Sequence, residues 1–355
     1  MAGSKLVVIG GVDTHGETHH AAVIDTAGRI LGTAPFDASA AGYRRLLRWL
    51  RSHGDLVSVG VEGTGSYGAG LCRHLFSQGV DVIEVDRPDR RMRRRRGKSD
   101  PVDAEAAARS VLAGTAMGSP KDRSGLVESI RTLRVARSGA VKARTAAMGS
   151  LKAMITTAPA PLREKLEILS RPQRVKACAA MRPDPTRLDD PAHGTEAALR
   201  SLARRVIALD GEIAELDEAL SPLVLQAAPR TMARCGIGVE HAGQLLVTVG
   251  ENIERLHSEA AFAQLCGVAP MLASSGRTDR HRLNRGGDRQ ANRALHLAVI
   301  VRLAHCDRTR AYALRRTAEG LSKAEIIRCL KRYLAREVYP ALVADLRALR
   351  GLDTI

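Results

Sequence analysis

Four acids have the placement that metal-dependent phosphoryl chemistry asks for: Asp13, Glu62, Asp100 and Asp103. Asp13 closes the apolar run 5–12, KLVVIGGV, and Glu62 closes a second run, 56–61, LVSVGV. Asp100 and Asp103 stand three residues apart at the head of DPVDAEAAARSVLAG, so they share a face if that stretch is helical. Mg²⁺ prefers carboxylate and water oxygens, and two such ions can clamp the attacking and leaving oxygens of a phosphodiester. Taken singly, each acid has a bland explanation: a turn residue at Asp13, a helix cap at Asp100. The combined order, strand–Asp, strand–Glu, then Asp-x-x-Asp on a later helix, is more specific. An acid that ends a buried strand is also costly without a partner or a metal. His15, His19 and His20 lack the spacing of a helical ligand pair and are expected at the surface or supporting the acids.

Two basic segments adjoin this chemistry. Arg90, Arg91, Arg93, Arg94, Arg95, Arg96 and Lys98 lie just before the Asp100–Asp103 pair. So dense a run repels itself unless it is solvated or lies on a phosphate backbone, and its position beside the acids favours the backbone. A second segment, VAPMLASSGRTDRHRLNRGGDRQANR, places Ser274 and Ser275 before Arg277, Arg280, Arg282, Arg285, Arg289 and Arg293. A serine hydroxyl needs a base or metal to become a nucleophile, and nearby cations could hold the phosphate it attacks. By residue type alone, a flexible Ser-Gly loop that binds backbone phosphates explains it as well. Gly236-Ile237-Gly238-Val239 ahead of an apolar helix has the form of a helix-hairpin-helix, whose turn aims N–H groups at a phosphate.

The elements that must position these residues follow from periodicity. Beyond the two acid-tipped runs, 20–34 reads as strand, turn at Ala27-Gly28, and strand. Helical spacing over 39–53 and 66–78 and a strand at 80–85 complete a mixed or parallel sheet covered by helices. Residues 124–157 read as one long helix, and a proline-rich break follows. Leu199, Leu202, Val206, Leu209, Ile213, Leu216, Leu220 and Leu223 then alternate steps of three and four, a heptad seam. That seam suits packing within its own chain, for instance against 124–157, or a coiled coil between subunits. Pro222 is expected to stop or bend the helix. The last third is read as mostly helical, over 258–267, 288–304 and 321–349. The fold class is therefore α/β plus all-α, in three segments: 1–122, 123–228 and 229–355.

Composition bounds the partners. The 355 residues carry a formal charge of +17, which favours a polyanion such as DNA or RNA. The six cysteines form no CxxC pair, so neither a disulfide scaffold nor a zinc ribbon is expected. No signal peptide and no apolar run of membrane-spanning length is evident, which points to a soluble cytoplasmic protein without membrane contact.

The chain resembles the DEDD transposases of the IS-one-ten insertion-sequence family, relatives of the Piv-type DNA invertases. The resemblance is carried by GVDTHGETHHAAVID, VEGTGSYG, GKSDPVDAEAAA, GIGVEHAGQLL and LCGVAP…SSGRT…RLNRGGDRQANRALH, in order over nearly the whole chain. It implies an RNase H-like (RuvC-like) N-terminal domain, a coiled-coil linker and a C-terminal transposase domain with a catalytic serine. Carried over by motif, the metal-binding and catalytic acids are Asp13, Glu62, Asp100 and Asp103. The nucleophile is the serine before glycine, Ser275, with Ser274 as its immediate neighbour. The resemblance also implies donor and target DNA, a structured guide RNA encoded by the element, and a homo-oligomer. The first motif alone does not separate this reading from an actin-like sugar kinase, which shares the RNase H-like core, or from a non-catalytic nucleic-acid-binding relative. The later glycine-rich adenosine motifs of such a kinase are not found.

Overall fold

The computed structural model of the protein describes residues 6–85, 99–273 and 281–352. Continuous, β-branched-rich apolar runs draw out β1 (Val7–Thr14) and β2 (Thr18–Asp25), which pair antiparallel, and β3 (Ile30–Asp37) pairs antiparallel with β2. The β2–β3 turn is built on Asp25. Its carboxylate accepts the Ala27 N–H at 3.0 Å, the Arg29 N–H at 2.8 Å and the Arg29 Nε–H at 2.7 Å. Gly28 supplies the left-handed residue, at φ 77°.

Helix α1 (Ala40–Ser52) starts at Ser39, whose hydroxyl accepts the Gly42 N–H at 3.1 Å. It returns the chain to β4 (Asp55–Glu62), parallel to β1, and α2 (Ala69–Ser77) returns it to β5 (Asp81–Val85), parallel to β4. The sheet order is β3-β2-β1-β4-β5. Period-2 alternation sends Val8, Val12, Val59 and Val61 into a core with Leu46, Leu50, Leu71 and Leu75 of α1 and α2. The opposite face carries Ile9 and Ile24 against Ala108 of α3 (Asp100–Leu112). The sheet is thus covered on both faces.

The remaining chain is helical: α4 (Gly125–Thr156), α5 (Ala160–Glu167), α6 (Arg171–Ala179), α7 (Pro191–Ala227), α8 (Pro229–Met232), α9 (Val239–Val249), α10 (Glu259–Leu265), α11 (Arg289–His305), α12 (Asp307–Ala318) and α13 (Lys323–Leu349). A short ribbon, β6 (Met271–Leu272) with β7 (His281–Arg282), is antiparallel. The chain packs as two units, one of Met1–Gly125, Thr248–Arg289 and Ala335–Ile355, the other of Leu126–Val247 and Gln290–Leu334. These units cut across the chain order of the three segments read from the sequence.

In the second unit the long helices α4 and α7 run antiparallel. Arg137 pairs with Asp217, and seven residues on, Arg144 pairs with Asp210, seven residues back. Leu151 and Ile155 of α4 are buried with Leu199, Ala203 and Val206 of α7, Leu166 of α5, and Val175 and Cys178 of α6. The seam read in 199–223 is therefore buried at its ends within its own chain, while Leu209, Ile213 and Leu216 stay half-buried. Pro222 does not end α7, which runs on to Ala227. The proline-rich break is not all loop either: Pro161, Pro172 and Pro191 sit in first turns, where no intrahelical N–H is needed. Helix α12 falls in a stretch that the periodicity left unassigned. Gly236, at φ 80°, turns the chain between α8 and α9, and a Cβ there would stand 2.7 Å from the Ala298 carbonyl oxygen of α11. Packing against α11 by itself requires that glycine. No helix of the described residues is long and apolar enough to cross a membrane.

The Asp25 carboxyl is held below its usual range, chiefly by the Arg29 backbone N–H, then by the Arg29 guanidinium and the Ala27 N–H. A depressed folded-state value adds stability above the unfolded-state value and loses it as pH falls through the folded one. Asp25→Asn should accordingly lower the urea midpoint at pH 7, and the gap from wild type should close in acid. An equal gap at both pH values would refute this account.

Candidate metal centre

The same three-residue pattern occurs at the ends of two neighbouring strands: Gly11-Val12-Asp13 in β1 and Gly60-Val61-Glu62 in β4. The register pairs Gly11 with Gly60 and Val12 with Val61, so Asp13 and Glu62 come next, side by side. The Thr14 hydroxyl donates to the Glu62 carbonyl at 2.7 Å and ties the two ends together. Because side chains alternate, both valines enter the α1–α2 core and both acids share the glycine face.

That face is where α3 lies. A Cβ on Gly11 would stand 2.2 Å from the Ala104 carbonyl oxygen, and one on Gly60 would stand 2.8 Å from that of Ala107. The glycines let the helix backbone rest directly on the strands. The alanine run of α3, with Ala104, Ala106, Ala107 and Ala108 buried, is the matching half of the contact. Helix α3 starts after Ser99 with Pro101 in its first turn, and this sets Asp100 and Asp103 at the end nearest the strand tips.

Asp13 and Asp103 are buried, whereas Asp100 is exposed. Burial raises the Asp13 carboxyl above its ordinary range; His15 pulls it down, and Asp103 and Asp100 push it up. The acids are thus close enough to repel one another. His15 Nε2 lies 3.1 Å from Asp13 Oδ2 and 3.4 Å from Asp100 Oδ1. One ligand atom from each of Asp13, His15 and Asp100 lies within 4.8 Å of the others, a spacing that fits a single cation. The residues present fit a divalent ion. Its charge would relieve the repulsion among carboxylates gathered at the edge of a dry helix–sheet contact.

The structure therefore gathers Asp13 and Asp100, sets Asp103 within electrostatic reach, and puts Glu62 on the adjoining strand tip. It also adds His15 to the group, which the sequence reading had set outside the ligands. His15 lies just past the end of β1, in the turn before β2, where strand periodicity does not report which way a side chain goes. His19 departs further from its expected surface position. It is fully buried, stacks on Tyr43 with ring centroids 5.5 Å apart, and burial lowers its pKa. His20 is half-buried.

Of the basic residues, Arg282, Arg285, Arg289 and Arg293 are exposed, as a contact with nucleic acid needs. Arg90, Arg91, Arg93, Arg94, Arg95, Arg96, Lys98, Ser274, Ser275, Arg277 and Arg280 lie outside the described residues. The RLNRGGDRQ motif also has a structural role that the sequence did not reveal. Asn284 donates to Gln264 Oε1 at 3.1 Å, and the Asp288 N–H donates to the Leu265 carbonyl at 2.7 Å. Gly287, at φ 84°, passes so close that a Cβ would stand 2.6 Å from the Gln264 and Leu265 carbonyl oxygens. The segment is clamped onto the end of α10.

A mixed sheet whose parallel strand tips carry acids, completed by acids on a covering helix, marks a protein with a carboxylate centre suited to a divalent metal. The comparisons with known proteins say which. Residues 10–158 match a family model described as a transposase, DEDD type, of IS110. Residues 230–314 match the "Transposase IS116/IS110/IS902 family". The chain is also similar to the "Insertion element IS110 uncharacterized 43.6 kDa protein" of Streptomyces coelicolor, at 37% identity over 144 residues, 39% of this chain and 32% of that one. The chain belongs to the IS110 transposase family. Its match spans about a third of the length of that Streptomyces relative.

Two substitutions separate ligand chemistry from positioning. Asp100→Asn, at an exposed site, should leave the metal-free melting temperature nearly unchanged and weaken Mg²⁺ or Mn²⁺ binding about tenfold or more. That removes about 1.4 kcal/mol of metal-induced stabilisation in a thermal scan. Gly11→Ala keeps every acid yet forces α3 away, at a cost of about 1–3 kcal/mol, and the metal-induced rise in melting temperature should shrink with it. An undiminished rise in both variants would show that the metal binds elsewhere.

Proposed function

We propose that this chain is a DNA transposase-recombinase that cuts and rejoins phosphodiesters with a Mg²⁺-binding acidic centre and a serine nucleophile. The observation that carries the reading is the pair of in-register Gly-Val-acid strand tips under α3. The sheet order and strand directions agree with an RNase H-like (RuvC-like) domain in the N-terminal segment, 1–122. The segments 123–228 and 229–355 then serve as a helical linker and a transposase domain with a helix-hairpin-helix-like turn at 236–239.

In this reading Asp13, Glu62, Asp100 and Asp103 hold Mg²⁺, with Mn²⁺ as an alternative that the His15 nitrogen would accommodate well. A divalent ion at such a centre supplies Lewis-acid stabilisation of oxygens at phosphorus. The acids fix the geometry of that centre, and the glycine contacts keep α3 from shifting under their repulsion. Ser275 Oγ attacks the phosphorus as its proton leaves. The bond to the 3′ oxygen breaks as the serine–phosphate bond forms, and that oxygen departs with a proton. Arg277, Arg280, Arg282, Arg285 and Arg289, together with Arg90–Arg96 and Lys98, contact donor and target DNA or a structured guide RNA through their backbones. The half-buried stretch of the α7 seam, Leu209 to Leu216, is the surface offered for a homo-oligomer. The composite site forms between subunits only on nucleic acid, which keeps a lone subunit from cutting. Family membership favours this reading over an actin-like kinase, and a phosphate-release assay tests the latter directly.

The test is mass spectrometry of a reaction trapped on labelled DNA with Mg²⁺ and the element's RNA. Ser275→Ala should abolish the covalent protein–DNA adduct, Ser274→Ala should keep it, and Asn or Gln at any of the four acids should abolish recombination in a folded protein. Loss with Ser274→Ala alone would reassign the nucleophile. An adduct-free reaction that still needs the acids would replace the covalent mechanism by direct metal-assisted transesterification.

A further inference from the structure

The VEGTGSYG string carries Glu62 on its strand tip, and its tyrosine, Tyr67, has no task in the acidic centre as described. The other four of the chain's five tyrosines each have an aromatic ring beside them. Tyr43 stacks on His19, Tyr312 and Tyr333 meet edge to face, and Tyr339 tilts against Phe262. Among the described residues Tyr67 has neither a ring partner nor a hydrogen bond at its hydroxyl, and it is 62% exposed. A single exposed aromatic side chain is ordinary; what sets Tyr67 apart is where it is held.

Its ring lies against the turn between β1 and β2, with Cε1 3.4 Å from where a Cβ on Gly16 would stand. Gly16 follows His15, whose Nε2 is 3.1 Å from Asp13 and 3.4 Å from Asp100. The ring edge is thus within about 9 Å of the His15 Cα. Residues 15–18 and 65–67 are all exposed, so the ring stands open to solvent at the rim of the centre. The loop that carries it is firmly tied. The Gly63 carbonyl accepts the Ser66 N–H at 2.9 Å, the Gly68 N–H at 3.1 Å and the Ser66 hydroxyl at 3.2 Å. The Thr64 hydroxyl donates to Glu84, and Gly63 takes φ 71°. A ring on such a mount loses little freedom when a flat partner stacks on it.

We propose that Tyr67 is the stacking platform for an unpaired nucleobase of the DNA strand whose phosphate lies at the acidic centre. Every base has a π-face, so a tyrosine holds a strand without reading its sequence. A neutral ring also suits this spot electrostatically. A lysine or arginine beside Asp13 and Asp100 would be drawn into ion pairs with them, whereas a ring leaves the carboxylates their charge. Bases inside a duplex are covered on both faces by their neighbours, so the platform takes a base only where the strand is opened or the base is turned out. Tyr67 then fixes the strand beside the centre, a positioning role with no part in bond making. The proposal rests on the reading of the chain as a nucleic-acid enzyme.

The experiment measures binding of full-length wild type, Tyr67→Leu and Tyr67→Trp, in Mg²⁺, to two fluorescent strands of equal length: an oligothymidylate and one whose sugars carry no bases. Wild type should bind the thymidylate strand more tightly than the abasic one. Tyr67→Leu keeps an apolar side chain of similar reach, and should weaken thymidylate binding about tenfold while leaving abasic binding unchanged. The slope of log affinity against log salt should stay at the wild-type value, because no phosphate contact is lost. Tyr67→Trp should bind at least as tightly as wild type. A wild type that binds both strands alike, or a Tyr67→Leu that binds thymidylate as wild type does, overturns the platform. Equal losses on both strands, or a Tyr67→Trp as weak as Tyr67→Leu, also overturn it, since loop shape rather than stacking would then be responsible. A wild type that binds neither strand nor a DNA duplex at any salt overturns the functional reading as well.

Discussion

The near-contact of the α3 backbone with Gly11 and Gly60 is the constraint on which the acidic centre depends. Helices ordinarily stand off a sheet by the thickness of two side chains. Here the strands contribute only hydrogen and the helix small side chains, Ala104, Ala107 and Ala108 with Val111, so the helix lies against the strand backbone. The closeness brings acids from the covering layer level with acids at the strand tips. Any larger residue at 11 or 60 would lift α3 and spread the carboxylates, though every ligand remained.

Gathering like charges at the edge of an apolar contact is unfavourable, and the surroundings show how it is tolerated. His15 is placed between Asp13 and Asp100, and the Thr14–Glu62 tie fixes the strand tips against each other. The cores on either side of the sheet keep the tips in place. The raised Asp13 carboxyl is the local sign of a conflict that a cation would remove.

The second unit solves a different problem, that of holding two long helices in register with few aromatic side chains. Small and branched residues close one end of the α4–α7 pair, and arginine–aspartate bridges one heptad apart mark its middle. Such partly exposed bridges add little stability each. Their spacing tells against a slipped register, which would set each arginine beside the wrong residue.

Much of this was legible in the sequence, because local patterns report local structure. Short apolar runs ending in Asp13 and Glu62, the Ala27-Gly28 turn, the long 124–157 helix and the Asp100–Asp103 spacing each follow from steric and hydrogen-bonding preferences within a few residues. The family motifs were legible for the same reason. What the sequence could not decide is anything set by contacts between distant segments. That Gly11 and Gly60 face the same helix depends on the β1–β4 register, which no single strand encodes. The heptad seam was equally suited to its own chain or to another; burial of its first end, Leu199 and Val206, against α4, α5 and α6 is a tertiary outcome. Pro222 looked like a stop because its missing hydrogen bond is a local cost, yet helix α7 continues, held by burial of Leu220 just before it and of Val224 and Ala227 beyond it. His19 looked polar and exposed by type, and only the strand's orientation sent it inward against Tyr43. Short-range preferences fix which elements form; which faces meet is decided by packing of the whole chain, where burying apolar area outweighs any one residue's local preference.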